Sequence, residues 1–517
     1  MDAASRGGPS LKVALVEKEP RSSSRAYLVL AYCTVLQLLI YADRGIIAGL
    51  LNYAEAWFSI DKFHSGLLGT IFLAGFMMMS PVAAALASGG EGVVRAIGAG
   101  LLVWTLSVWA CSAASSYSVL LVARAVAGCG ESALCSLAPP LIDDAAPPRK
   151  KSAFLAIYFS AIFVGLGVGF AIAGSATSWS DGRSLFLYEG IIMAPLCLVS
   201  LLCGSCLLTR PAADEDRAAA EAAEGSDEVA QMSSWAESSS RTMRFDSYDE
   251  SLEVAGKLRN SAIMLSKGGP DSLHNPFHRK TQEWIARQSR ALMAILRTPV
   301  YTLLVLGYCA TIFTIGGIAF WAPSYLQQVI GTKASTANGI LGVITGLSGI
   351  IGTPIGGLLL DWMDSRWGCR SLQAARLCRQ LVVLAAPVTM LAAAAQTRTL
   401  FFMSLALGQV LIFAATAPAN IAMMEAVSPD QRGLALGHCT LASHLLGDLI
   451  PPVLVGYIAD MTGSLRPGMW LLVLWLLWSV LFWSMAEVQT GREEAAREAE
   501  EAKVKAPEEA TGGTGGS

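Results

Sequence analysis

Residues 26–50 read AYLVLAYCTVLQLLIYADRGIIAGL, and within them only Asp43 and Arg44 carry formal charge. At 1.5 Å per residue a helix of this length spans roughly 37 Å, more than the ~30 Å hydrocarbon layer of a bilayer. The run is too long for the core of a signal peptide. It therefore reads as a retained first membrane span behind the basic residues Arg6, Lys12, Lys18, Arg21 and Arg25. Working outward, eleven further runs of the same kind fall at 64–88, 96–115, 119–142, 152–176, 185–208, 300–328, 338–361, 377–395, 399–426, 433–459 and 468–488. Six, a long gap and six more describe an all-α membrane protein of twelve transmembrane helices in two six-helix halves. The expected segments are a tail at 1–25, a first half at 26–209, a central loop at 210–298, a second half at 299–490 and a disordered tail at 491–517.

Composition agrees. Of 517 residues, 53% are hydrophobic and 15% charged, with mean hydropathy +0.50, a balance that water does not tolerate over such long runs. The charges are unevenly distributed, and residues 210–298 and 491–517 hold a large share of them. A net charge of −3 without a basic stripe gives no support for a nucleic-acid partner, and none is expected. The eleven cysteines lie mostly in apolar runs, where they act as small hydrophobes. The single Cys203-x-x-Cys206 sits in a span with no second pair, which argues against a metal or redox centre.

In the short loops, one face carries Arg95, Arg149, Lys150, Lys151, Arg366, Arg370, Arg376, Arg379 and Arg432, and the other Lys62, Arg183, Lys333, Arg398 and Arg466. The richer face also receives both termini and the central loop, so the positive-inside rule expects all of these in the cytoplasm. The central loop opens rich in Ala and Glu and turns Ser-rich around Ser233–Ser240, the composition of an unfolded linker. Over 280–297, Trp284, Ile285, Leu292, Ile295 and Leu296 share a helical face with Arg287, Arg290 and Arg297 around it. This fits either a helix at the membrane surface or a plain connector.

Ser65-Gly66-Leu67-Leu68-Gly69 and Asn338-Gly339-Ile340-Leu341-Gly342 align at an offset of 273, which also pairs Ile71 with Ile344, Pro81 with Pro354 and Leu86 with Leu359. A second echo places Ala138-Pro139 before Arg149, and Ala417-Pro418 before Arg432. Two echoes in the same order favour a parallel duplication of six spans. This organisation resembles the major facilitator fold, which implies a substrate site between the halves, exposed alternately by rocking.

Charge buried in the spans is the candidate machinery. Asp43 and Arg44 lie inside the first span, where an ionised group costs about 2.5–3.5 kcal/mol on insertion scales. Arg124 and Glu131 stand seven residues apart in the fourth span, two turns along one face. Two acids and two bases can neutralise one another as a static network pinning the helices. They can equally act as a switch, because moving an Arg changes a carboxylate's proton affinity. In the second reading Asp43 and Glu131 are the proton-coupling candidates, and Arg44 and Arg124 bind an anionic head group or gate the acids. His444 and Asp448 form an i, i+4 pair in the eleventh span, suited to helix packing, proton transfer or substrate binding. Glu55, Glu189 and Glu425 rank lower because they fall near expected span ends, and Asp143 and Asp144 precede the Pro147-Pro148 turn.

The same residues carry a family resemblance. Tyr41-Ala42-Asp43-Arg44, the stretch from Arg124 to Glu131-Ser132, Ile157-Tyr158-Phe159 with Gly165, Gly167 and Gly169, and Ser443-His444-Leu445-Leu446-Gly447-Asp448 before Pro451 and Gly456 are similar to the spinster family. The resemblance spans both halves and omits the central loop and tails. It implies a secondary transporter of lipid-like molecules, lysophospholipids or sphingosine 1-phosphate, with proton coupling. It also implies functional roles for Asp43, Arg44, Arg124 and Glu131, and makes His444 a substrate or coupling candidate.

The chain departs from the pattern in two places. Facilitators place an acid after the second span, where this chain reads Ala87-Ser88-Gly89-Gly90-Glu91, so Ser88 stands opposite Asp361. Asp361 is thus a cytoplasmic-loop latch candidate without a mirror, unless Glu91 and Arg95 substitute. The family's fifth-span Pro is also absent, with Phe163 near its position.

No nucleophile–base pair, metal cluster or phosphate-cradling Gly loop occurs, so neither an enzyme nor a cofactor is expected. The alternatives are a carrier of a small organic anion or sugar, and a receptor or scaffold that lost transport. The spans hold few amides, mainly Gln37, Gln409 and Asn420, which favours an amphiphile over a sugar. The expected partners are the bilayer, an amphiphilic small molecule and protons. The expected form is a monomer, in the plasma or an endolysosomal membrane.

Overall fold

The computed structural model describes residues 23–86, 92–147, 150–202, 292–428 and 431–511. The expectations about the N-terminal basic residues Arg6 to Arg21, the Ala87–Glu91 loop, Pro148 and Arg149, the Cys203/Cys206 pair, the central loop up to residue 291 and the last six residues lie outside the described residues.

Six helices form the first half: α1 (Ser23–Phe58), α2 (Lys62–Leu86), α3 (Gly92–Ala113), α4 (Tyr117–Ala145), α5 (Lys151–Ala173) and α6 (Trp179–Leu202). The second half begins with α7 (Pro299–Gln328), α8 (Ala334–Trp367) and α9 (Arg370–Ala394). Its tenth span is broken into α10 (Arg398–Ala414) and α11 (Thr416–Glu425). The eleventh runs as α12 (Arg432–Ala442), a π-helical turn (Ser443–Asp448) and α13 (Pro451–Thr462), and the last is α14 (Arg466–Thr511). Among the described residues, twelve spans are long and apolar enough to cross a membrane, and the protein is an all-α membrane protein of the expected class.

Local chemistry sets the helix ends. Pro299 and Pro451 occupy first helical positions, where a missing N–H is harmless. Ser116 and Thr397 cap α4 and α10 by accepting from the Val119 and Leu400 amides. Gly463 ends α13 at φ 69°. Pro81 in α2 and Pro354 in α8, the pair related by the 273-residue offset, both lie inside helices.

Several boundaries differ from expectation. Helix α1 continues eight residues beyond 50 to Phe58, and α6 starts at Trp179 rather than 185. Helix α8 continues past 361 to Trp367, so Asp361 is helical rather than in a loop. Helix α14 continues through the acidic tail to Thr511. The Glu, Ala and Arg residues there favour helix once one is started, and the tail is anchored: Glu487 accepts from Arg376 at 3.1 Å and from Arg379, and Ser371 donates to Glu494 at 3.3 Å.

Close helix crossings position the site. A Cβ at Gly169 of α5 would overlap the Ala42 carbonyl of α1, one residue before Asp43. The halves meet toward the end remote from the start of α1 and the end of α14. There α5 packs on α8, the start of α2 on α13, and the end of α1 on α7. Asn52 exchanges amide hydrogen bonds with Gln327 (2.8 Å) and Gln328 (2.7 Å), and Asp460 accepts from the backbone amides of Lys62 (2.9 Å) and Phe63 (2.7 Å). Helices α4 and α11, which carry the two Ala-Pro pairs, share no comparable packing among the described residues.

Candidate functional site

Adjacent positions on a helix point about 100° apart, so Asp43 and Arg44 reach different partners on α4. One guanidinium nitrogen of Arg124, Nη1, donates to both oxygens of Asp43 at 2.8 and 2.7 Å. Arg44 Nη2 donates to Glu131 Oε1 at 2.5 Å. Asp43, Glu131 and Arg124 are fully buried, whereas the Arg44 side chain keeps 17% of its surface exposed. The sequence brought four charges together; the structure sorts them into two crossed pairs.

Aromatic rings flank the bases. The Arg44 guanidinium lies 4.5 Å from the Tyr41 ring centre, 5.0 Å from Phe72 and 6.0 Å from Phe76, and Arg124 lies 4.7 Å from Phe72. Such contacts hold a cation without neutralising it. Phe76 also meets the His444 ring edge-on at 5.0 Å, bridging the first half to the second.

His444 Nδ1 and the Asp448 carboxylate are 3.1 Å apart, as the i, i+4 spacing predicts. They sit in the π-helical turn, where the Leu449 amide reaches back to the His444 carbonyl. The widened turn leaves the Leu449 carbonyl free to accept from Thr70 of the first half at 2.9 Å. His438, by contrast, faces Tyr301 at 3.0 Å within the second half, a packing contact.

Asp361 is not part of this assembly. Its side chain is 62% exposed and pairs with Arg370 at 2.9 Å, which also holds Asp364 at 3.1 Å. The turn joining α8 to α9, with positive φ at Gly368 and Cys369, brings Arg370 back to both acids.

Ranking Glu189 with the wetted span ends is corrected by the structure. Because α6 starts six residues earlier than expected, Glu189 lies deep in the half, 6% exposed. Asp460, Asn52 and Gln327, which tie the halves together, also went unnoticed. Each falls near a span end, where a polar residue carries no signal of its own.

The sequence model of the Major Facilitator Superfamily matches residues 33–375. The chain belongs to the Major Facilitator Superfamily. Among relatives of this facilitator, the probable sphingolipid transporter spinster homolog 3 of Arabidopsis thaliana is 26% identical over 484 residues, covering 90% of this chain and 86% of the relative. Protein spinster homolog 1 of Homo sapiens is 26% identical over 459 residues, covering 85% and 74%. A bacterial homolog to human lysosomal transporter spinster, solved inward-facing and unoccupied, superposes with TM-score 0.63 at 18% identity, covering 91% of this chain and 98% of that one. The peptide transporter POT in complex with sulfate does so at 0.58 and 14%, covering 90% and 95%. The spinster resemblance read from the motifs therefore holds along most of the facilitator's length, and the chain is a spinster-like transporter, not an enzyme.

Proposed function

We propose that this facilitator moves a single-chain anionic amphiphile, of the lysophospholipid or sphingosine 1-phosphate class, by alternating access coupled to protons. The observation that carries this reading is Arg44: a guanidinium ringed by Tyr41, Phe72 and Phe76, partly exposed, and paired on one side with a buried acid. A phosphate head can take the remaining donors while the aromatic rings accept the start of an acyl chain. Protonating Glu131 would free Arg44 for the head group, and Asp43 and Arg124 form the second, fully buried pair of the switch. His444 and Asp448 approach from the opposite half through Phe76.

The span amides speak against a sugar site. Gln37 accepts from Tyr158 at 2.7 Å, Asn420 donates to the Thr416 carbonyl at 2.9 Å, and Gln409 reaches Thr345 at 3.5 Å. The protein works as a monomer with both termini, the central loop and the Asp361–Arg370 contact on the cytoplasmic side. The arrangement of packed ends then corresponds to an inward-facing carrier.

Uptake into proteoliposomes of a lysophospholipid, sphingosine 1-phosphate and a set of sugars, with and without a pH gradient, tests the reading. Anionic lipid uptake that a gradient accelerates and Arg44→Ala removes is expected. Uptake of sugars alone overturns the substrate class, lipid binding without uptake makes the chain a receptor, and unchanged coupling in both Asp43→Asn and Glu131→Gln removes these acids from the proton path.

A further inference from the structure

Glu189 lies ten positions past the first residue of α6 and is 6% exposed, yet both of its carboxylate oxygens are buried without a hydrogen-bond partner. Its charged neighbours are Asp43 from α1 and Arg124 and Glu131 from α4, and α3 contributes Cys111. Helix α5 touches α6 without adding a titratable group to this set. Trp109 of α3 lies against the adjacent Gly190, its indole nitrogen buried and unpaired as well.

The charge balance decides the state of this group. Arg124 is committed to Asp43 and Arg44 to Glu131. A third ionised carboxylate would leave an uncompensated negative charge out of contact with water, and a buried acid in that position takes up a proton instead.

We propose that Glu189 is a further proton-carrying acid of this transporter, acting beside Asp43 and Glu131, neutral behind the two ion pairs in this conformation and ionised when the halves rock to the other. The proposal rests on the coupled-transport reading above. Arg124 supplies the counter-charge, since its Nε is buried without a partner while Nη1 holds Asp43. On rocking, the Glu189 O–H bond breaks, the proton leaves to water on the newly opened side, and the electron pair stays on a carboxylate that pairs with Arg124. The return step reverses each change.

The test uses the full chain in lipid. Infrared spectra at neutral pH should contain a carboxylic-acid carbonyl band that disappears in Glu189→Gln. In proteoliposomes loaded with a pH gradient, Glu189→Gln should lower uptake of sphingosine 1-phosphate to the rate seen without a gradient while preserving that basal rate, and Glu189→Asp should restore part of the stimulation. A spectrum without the band, or a band that survives in Glu189→Gln, overturns the proposal. Stimulation that survives in Glu189→Gln overturns it while leaving coupled transport intact. A unsubstituted chain that shows the band but no stimulation overturns the coupled reading and the transport role of Glu189 together.

Discussion

Arg124 donates two hydrogen bonds to Asp43, and both side chains are buried. Removing one partner of such a pair strands the other charge, at a cost of about 3–5 kcal/mol. Asp43→Asn should therefore lower the melting temperature of the purified protein, and adding Arg124→Met should recover much of the loss. Glu131→Gln should cost less, because Arg44 keeps partial exposure and three aromatic neighbours. A group outside the spans gives a pH test. Slight burial pushes the Asp61 carboxyl up, but hydrogen bonds from the His64 backbone and ring outweigh it and hold it below the usual carboxylate value. A lowered folded pKa gives stabilisation that is present above the ordinary value of about 3.9 and is lost as the pH falls through the folded one. Asp61→Asn should thus lower the melting temperature at pH 5, and the difference from the unsubstituted chain should shrink as the pH is taken down through about 3. At this scale the four central charges were legible because so few charges occur in the spans. Their pairing was not, since either base can reach either acid until the helix crossing is known. Glu189 was missed because a six-residue error in the start of α6 made a deep acid look peripheral.

Helices themselves are written in long apolar runs, so their number and order were legible; their ends and interruptions were not. The π-helical turn at Ser443–Asp448 left no mark in hydropathy, yet it places His444 against Phe76 and frees the Leu449 carbonyl for Thr70. Deleting Leu446, whose side chain is about half exposed, should convert the turn to regular α-helix and rotate His444 by about 100° relative to α13. Transport should fall steeply while helix content by circular dichroism is kept. At the α1–α5 crossing, Gly169→Val should force the backbones apart beside Asp43 and destabilise by about 1–3 kcal/mol, read as a lower melting temperature.

For the whole molecule, the internal repeat announced two halves but not the manner of their contact. Asp460 of the second half caps the start of α2 in the first, accepting from two backbone amides at a helix N-terminus. Loss of such a cap costs about 0.5–2 kcal/mol. Asp460→Ala should accordingly raise the population opened at that end several-fold, measured as a longer distance component between spin labels across it. Helix α14 offers a different use. It is continuous over 46 residues, roughly 69 Å against a hydrocarbon layer of about 30 Å, and its emerging part is fastened to α9 through Glu487. A dye at the exposed Glu498 would therefore sit on a rigid lever arm, turning a small rotation of the second half into a displacement large enough to follow one molecule at a time.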